Sequence, residues 1–275
     1  MSLLFDRKYR IRFGQPGAAG RELSGLRIAF AIERDSSSES NAATIQIWNL
    51  SETSRAEILR SGATVSLEAG YGRELGMIFQ GNDFKVNIRR ELPDVVTEIK
   101  TQDGGFQLRS NIVNIGFELG SSIRDVVSQI MGTFQDLTTN AKEILTVPAD
   151  QLSEGWIASG TAKKVLDDLL KPRGIQWSVQ DGEIRLVADD KTSNDGAVRL
   201  SAGSETLKGT GLVGSPTKTE DGIIVTSLLN PKIRPYRQIV VESRDIDGIY
   251  KVDKVTHRGD SWGGDWYTVA ECRST

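Results

Sequence analysis

KKVLDDLLKPRGIQWSVQDGEIRLVA, residues 163–188, holds a helix, its stop and a hairpin in one run. Val165, Leu166, Leu169 and Leu170 recur at helical spacing, which puts them on one face of an amphipathic helix. Pro172 and Gly174 end it, the first by lacking a backbone donor and the second by tolerating left-handed backbone. Asp181-Gly182 follows, a pair suited to a two-residue turn in which both centres need positive φ. Pairing about that turn sets Ile175 against Ala188, Trp177 against Leu186 and Val179 against Ile184, a wholly apolar face for helices to cover. Upstream, Ser122 with Asp125 resembles a capping box. Ile123, Val126, Val127, Ile130 and Met131 then keep helical spacing until Gly132. The spacing predicts a small α+β module over 113–190.

Outward from this module the period changes from helical to two. On the N-terminal side, residues 1–112, apolar residues alternate at Tyr9, Ile11 and Phe13, at Leu26, Ile28 and Phe30, and at Ile45 and Ile47. They alternate again at Val65, Leu67 and Ala69, at Phe84, Val86 and Ile88, and at Val95, Thr97 and Ile99. Ser51 is placed to cap a short helix that turns Ile58 and Leu59 inward and stops at Gly62. Asp103-Gly104 predicts a second hairpin, with Ile99 opposite Leu108 and Thr101 opposite Phe106. On the C-terminal side, residues 191–275, alternation returns at Ile223 and Val225, Ile239 and Val241, Tyr250 and Val252, and Trp266, Thr268 and Ala270. Asp-Gly pairs at 195, 221 and 247 mark further tight turns, and Ser36 to Ser40 reads as a loop tip.

Of 275 residues, 38% are hydrophobic and 26% charged, which is globular composition and a length that suggests two compact units. No apolar run reaches the roughly 20 residues of a membrane helix, and Met1 to Arg12 lacks a signal-peptide core. The net charge of −3 argues against a dedicated nucleic-acid binder. Its distribution is uneven. Residues 113–190 carry 7 basic and 12 acidic groups, against 15 and 14 before them and 12 and 11 after. A single cysteine and a single histidine exclude a disulfide framework and a Cys/His zinc cluster.

Catalytic motifs are thin. Gly70-Tyr71-Gly72 ends a strand without the following helix that would cradle a phosphate. Only His257 is available as a triad base, and a Cys272/His257 dyad needs their strands to be adjacent. Arg258-Gly259-Asp260 reads as a turn between the last two strands. Arg7, Lys8, Arg10 and Arg12 mark the first strand as a solvated or subunit-facing edge. Of the aromatics, Trp48, Tyr71, Trp262 and Trp266 are the candidates for subunit contacts, with ordinary core as their alternative. No residue pattern calls for a metal or a cofactor.

Three groups of segments carry a resemblance. TIQIWNLSETSRAEIL (44–59), VSLEAGYG (65–72) and IFQGNDFKV (78–86) resemble the opening domain of the central hub proteins of phage baseplates and tail tips, the superfamily of late-control protein D and the type VI secretion spike. SGTAKKVLDDLLKPRGIQWSVQDGEIRLV (159–187) resembles their middle module. GLVGSPTKTEDGIIVTSLLNPKI (211–233) and GIYKVDKVTHRGDSWGGDWYT (248–268) are similar to their closing domain. The resemblance implies a β-rich α+β fold with two tail-tube-like β-barrel domains, 1–112 and 191–275, flanking the α+β module at 113–190. It further implies a non-enzymatic virion protein that forms a homotrimer, assembles in the host cytoplasm, and adapts a sixfold tail tube to a threefold spike or tip. Its partners would be the tube protein, the tape measure, the spike or tip and the surrounding baseplate, with DNA only passing through the channel and Arg10 and Arg12 turned away from it. Because the sequence stops at Thr275, a separate polypeptide is expected to supply the puncturing tip. The competing expectation is a peptidoglycan-binding or peptidoglycan-degrading tail protein, with Trp156 or Trp177 stacking on sugar.

Overall fold

The computed structural model describes residues 6–14, 20–58, 64–193, 195–202 and 210–274. The chain opens with β1 (Arg7–Gly14), β2 (Arg21–Leu23), β3 (Ile28–Asp35), β4 (Ala42–Trp48), α1 (Glu52–Ile58), β5 (Thr64–Tyr71), β6 (Glu74–Gly81), β7 (Asp83–Glu91) and β8 (Asp94–Gln102). The middle holds α2 (Gly105–Ser110), β9 (Ile112–Phe117), α3 (Ile123–Met131), β10 (Thr138–Thr139), α4 (Ala141–Ile144), β11 (Trp156–Thr161), α5 (Ala162–Leu170), β12 (Ile175–Gln180) and β13 (Glu183–Ala188). Then come β14 (Val198–Ser201), β15 (Thr217–Lys218), β16 (Gly222–Leu228), β17 (Gln238–Glu242), β18 (Asp247–Asp260) and β19 (Trp266–Ser274).

One long sheet organises the molecule, in the order β15-β16-β19-β18-β3-β4-β8-β7, with β17 and β14 branching from the start of β18. It draws strands from both flanks. β18 is the shared member: Asp247–Lys251 pair with β17, and Lys254–Asp260 pair antiparallel with Ala29–Asp35 of β3. A register shift between Val252 and Lys254 separates the two duties, which is the bend that an extra residue introduces. The flanks are β-rich and the middle is α+β, while the long sheet stays open and no closed barrel is found among the described residues.

Alternation decides which face is inside. Ile28, Phe30 and Ile32 of β3 and Ile45 and Ile47 of β4 point toward a four-stranded sheet, β2-β1-β5-β6, and meet Ile11, Phe13, Val65 and Leu67 there. Each such fully buried aliphatic side chain contributes about 1.5–3 kcal/mol. A second core lies under β16 to β19, from Val198 to Cys272, and a third fills the module from Leu108 to Leu186. Gly259 belongs to the interior of β18, where a Cβ would stand 2.4 Å from the Phe30 ring and 2.7 Å from that of Trp266. Arg258-Gly259-Asp260 is therefore strand rather than turn, and the chain reverses over Ser261 to Asp265.

The module follows its sequence closely. Residues 175–188 pair in the expected register, α5 ends at Leu170 in a single 3-10 turn over Lys171–Arg173, and Gly174 takes φ 64°. α3 spans Ile123–Met131 with the expected residues buried, although Ser122 makes no side-chain cap. Ser51 does cap α1, accepting from the Ser54 amide at 3.2 Å; Leu59 and Gly62 lie outside the described residues.

Other turns differ. Asp103-Gly104 is not a hairpin: β8 already pairs with β4 on one side and β7 on the other, so no returning strand can join it. Gly104 instead begins α2 in left-handed conformation, and Leu108 is buried in the module core. The hairpin that β8 does make is with β7, about Leu92-Pro93. Asp221-Gly222 lies at the β15–β16 reversal. Asp195-Gly196 leads into β14, which runs parallel to β17, and near 247 the reversal falls on Ser243–Ile246, with the Asp247 carboxylate accepting from the Ser243 amide. β6 has no counterpart in the alternation, since Ile78 and Phe79 are adjacent and both buried.

Candidate functional site

The long sheet has one face on the cores and one face bare. On the bare face, small side chains on β3 and β4 form the floor of a cleft of about 780 Å³: Ala29, Ala31 and Thr44, with Gln46 beside them. Its rim is the start of β3 and the β18–β19 turn. Arg27 stands there between two indoles, 4.3 Å from the ring of Trp48 and 5.9 Å from that of Trp262, and pairs with Asp260 at 2.9 Å. The turn is held firmly. Arg7 donates to the carbonyls of Asp260, Gly263 and Gly264, and the Ile28 amide donates to Ser261 Oγ. Trp262, on this braced turn, is 76% exposed.

Across the same face, cations of one strand meet carboxylates of the same or the next. Lys254 of β18 pairs with Glu33 of β3 at 3.5 Å. Glu98 of β8 takes Arg89 of β7 at 3.2 Å, Lys100 at 3.6 Å, and a hydrogen bond from Gln46 of β4 at 3.1 Å. The Gln46 bond and these cations hold the Glu98 carboxyl below the usual carboxylate range.

At the opposite end of β3, polar groups lock the module to the long sheet. Arg34 points inward from β3 and is 2% exposed. It donates to Gln180 Oε1 at 3.0 and 3.1 Å, to the Ile78 carbonyl at 3.1 Å and to Asp181 at 2.9 Å. Asp181 also meets Arg234 at 3.4 Å. Asp103 accepts from the amides of Gly182 and Asp181, yet burial and the Asp181 charge raise its carboxyl to about 7. At the other end of the hairpin, Lys251 donates to the carbonyls of Ala188 and Asp189, and burial and Arg273 lower it to about 8. Ser38, in the Ser36 to Ser40 loop, bonds Asp167 of α5 at 3.0 Å, so this loop is a clasp on the module rather than a free tip.

Of the sequence candidates, Trp48 and Trp262 come together around Arg27. Tyr71 and Trp266 lie inside the chain, 6% and 1% exposed, in the core between the two sheets. Arg10 and Arg12 stand on the four-stranded sheet, away from the cleft, tied to Glu22 and Glu68. Trp177 is buried and donates to Asp167, and Trp156 is half-buried and stacked on Phe117 at 6.0 Å. The Cys272/His257 dyad does not form. His257 faces Thr268 while Cys272 faces Val252, about four residues or ~13 Å along the strand. Burial raises the thiol and lowers the imidazole to about 3. Among the described residues no group of three His, Cys, Asp or Glu is placed to hold a metal, and no helix is long and apolar enough to cross a membrane. Arg27, Arg34, Asp103 and Lys251 carry most of the polar structure. Nothing in their sequence context separates them from surface charge, apart from Arg34, which continues the buried alternation Ile28, Phe30, Ile32.

No curated protein matches the sequence. Among solved structures, the tail protein from Neisseria meningitidis MC58 is similar over 98% of this chain and 97% of its own, at 11% identity and a TM-score of 0.68. The 43 kDa tail protein of prophage MuSo2 from Shewanella oneidensis has 11% identity and a TM-score of 0.65, with 98% of each chain covered. The E. coli c3393 protein, described as a type VI secretion component similar to the T4 tail proteins gp27 and gp5, has 11% identity and a TM-score of 0.58, over 96% of this chain and 77% of its own. Their likeness is one of fold. The sequence itself matches the family described as baseplate hub gp41 over residues 19–272, and the chain belongs to that family of phage baseplate hub proteins.

Proposed function

We propose that three copies of the chain close into a ring at the centre of the baseplate, each supplying two tube-like β units, so that a sixfold tail tube meets a threefold spike or tip. The observation that carries this reading is the long sheet. Its strands come from both flanks, joined edge to edge by β3 and β18, and its main run ends in two open edges, β7 and β15, beside the β17–β14 branch. Open edges invite pairing, and head-to-tail closure of three identical sheets covers both ends of that run. In such a ring the bare face, with its alanine floor, turns toward the channel through which DNA passes. The four-stranded sheet and the α+β module lie outside, where tape-measure, tip and baseplate proteins are met or threaded, and Trp48 and Trp262 contact neighbouring subunits at the rim. The role is structural, in the virion tail baseplate.

Light scattering on the purified protein tests this. The expected mass is three times 30.1 kDa, and particle images should show threefold order at the hub. A monomer at every concentration, or hub density without threefold order, would sink the reading. The burial of Trp177 and the stacking of Trp156 on Phe117 count against the sugar-stacking role that the peptidoglycan alternative gives these two indoles.

A further inference from the structure

We propose that Glu33 and Glu98 act as charge compensators that keep the bare face of the long sheet from holding a polyanion. The inference rests on the ring reading for the identity of that polyanion, duplex DNA in transit. Without these two carboxylates the face would present Lys254 of β18 and Lys100 of β8 as uncompensated cations, around a floor of alanine and threonine that offers no steric obstacle, while Arg89 would keep its second partner, Glu91, at 2.6 Å. Protein affinity for duplex DNA comes largely from cations that displace its counterions, so the two freed cations would add to any binding by this face. Each is instead met by a carboxylate within 3.6 Å. The arrangement crosses strands: Glu33 reaches from β3 to β18, while Glu98 joins β7, β8 and β4. Arg27 at the rim is likewise paired, with Asp260.

The test is fluorescence anisotropy of a labelled 20-base-pair duplex with the purified full chain over a salt series. Glu33→Gln/Glu98→Gln should bind at least about 10-fold more tightly than the parent at low salt, with a log–log salt slope steeper by about 2. Glu33→Gln alone, on an exposed side chain that folding does not need, should steepen it by about 1. Glu154→Gln/Glu220→Gln makes the same change in net charge on exposed carboxylates for which no ion pair is seen, and should leave binding at the parent level. No gain in the first two variants overturns the proposal, and so does an equal gain in the third, which would assign the effect to bulk charge. Mass measured on the same samples separates the two readings. A trimer without the gain rejects the compensators and spares the ring, whereas a monomer with the gain does the reverse.

Discussion

Arg34 is the residue on which the attachment of the module turns. Its guanidinium is buried and satisfied by two side chains and a carbonyl, so Arg34→Ala leaves Asp181 and Gln180 short of a partner in a closed space. Losing one member of a buried pair costs about 3–5 kcal/mol, and urea denaturation of the purified variant should show a loss of that size. Asp103 and His257 give the pH dependence. A carboxyl held at about 7 rather than 3.8 favours its protonated form in the fold, so its contribution to stability declines as pH rises from about 4 to 7. An imidazole held at about 3 rather than 6.5 favours the neutral form, so its contribution rises with pH from about 3 to 6.5. The two slopes oppose each other. Asp103→Asn should therefore uncover a stability that climbs between pH 4 and 6.5, by up to a few kcal/mol; an unchanged melting profile would show that Asp103 is ionised in the fold. The sequence marks His257 as a candidate base and Asp103 as a turn residue, but not their burial, because burial of a single polar side chain depends on what a distant segment lays over it.

At the scale of elements, the legible parts were those whose partners are close in sequence. The hairpin at 175–188 needs nothing beyond its own turn and alternation, and its register emerges intact. Asp103-Gly104 carries the same local signal and becomes a helix start, because β7 and β4 occupy both flanks of β8. Gly104 remains indispensable for a different reason: at φ 64° an added Cβ would also stand 3.0 Å from Val179. Gly104→Ala should cost about 1–2 kcal/mol, read as a lower urea midpoint with an unchanged slope. β6 escaped notice since its two buried residues are neighbours, and β14 since four residues in parallel pairing leave no local mark. The bare face was legible only as polar positions between apolar ones. Of their ion pairs, those of Glu98 with Arg89 and Lys100 are close in sequence, whereas that of Glu33 with Lys254 spans 221 residues.

For the whole molecule, order along the chain was more informative than any one motif: the resemblance rests on that order, and the family assignment on the match over residues 19–272. What no local pattern discloses is that the flanks share a sheet. Tyr71 and Trp266 show the consequence, since residues from the two flanks fill one core and stand inside the chain, whereas Trp262 stands clear. Trp262→Ala should leave the unfolding midpoint within about 0.5 kcal/mol of the parent yet lower the fraction sedimenting as a ring; a variant that assembles normally would remove Trp262 from the contact. β18 itself has a mechanical meaning. Seven consecutive residue pairs bind its second half to β3 while its first half is woven into β17. A load along the strands meets those bonds in shear, all at once, instead of peeling them apart singly. Neither flank can tilt without dragging the other, and a thrust delivered along the strands would pass through the chain as through a welded joint.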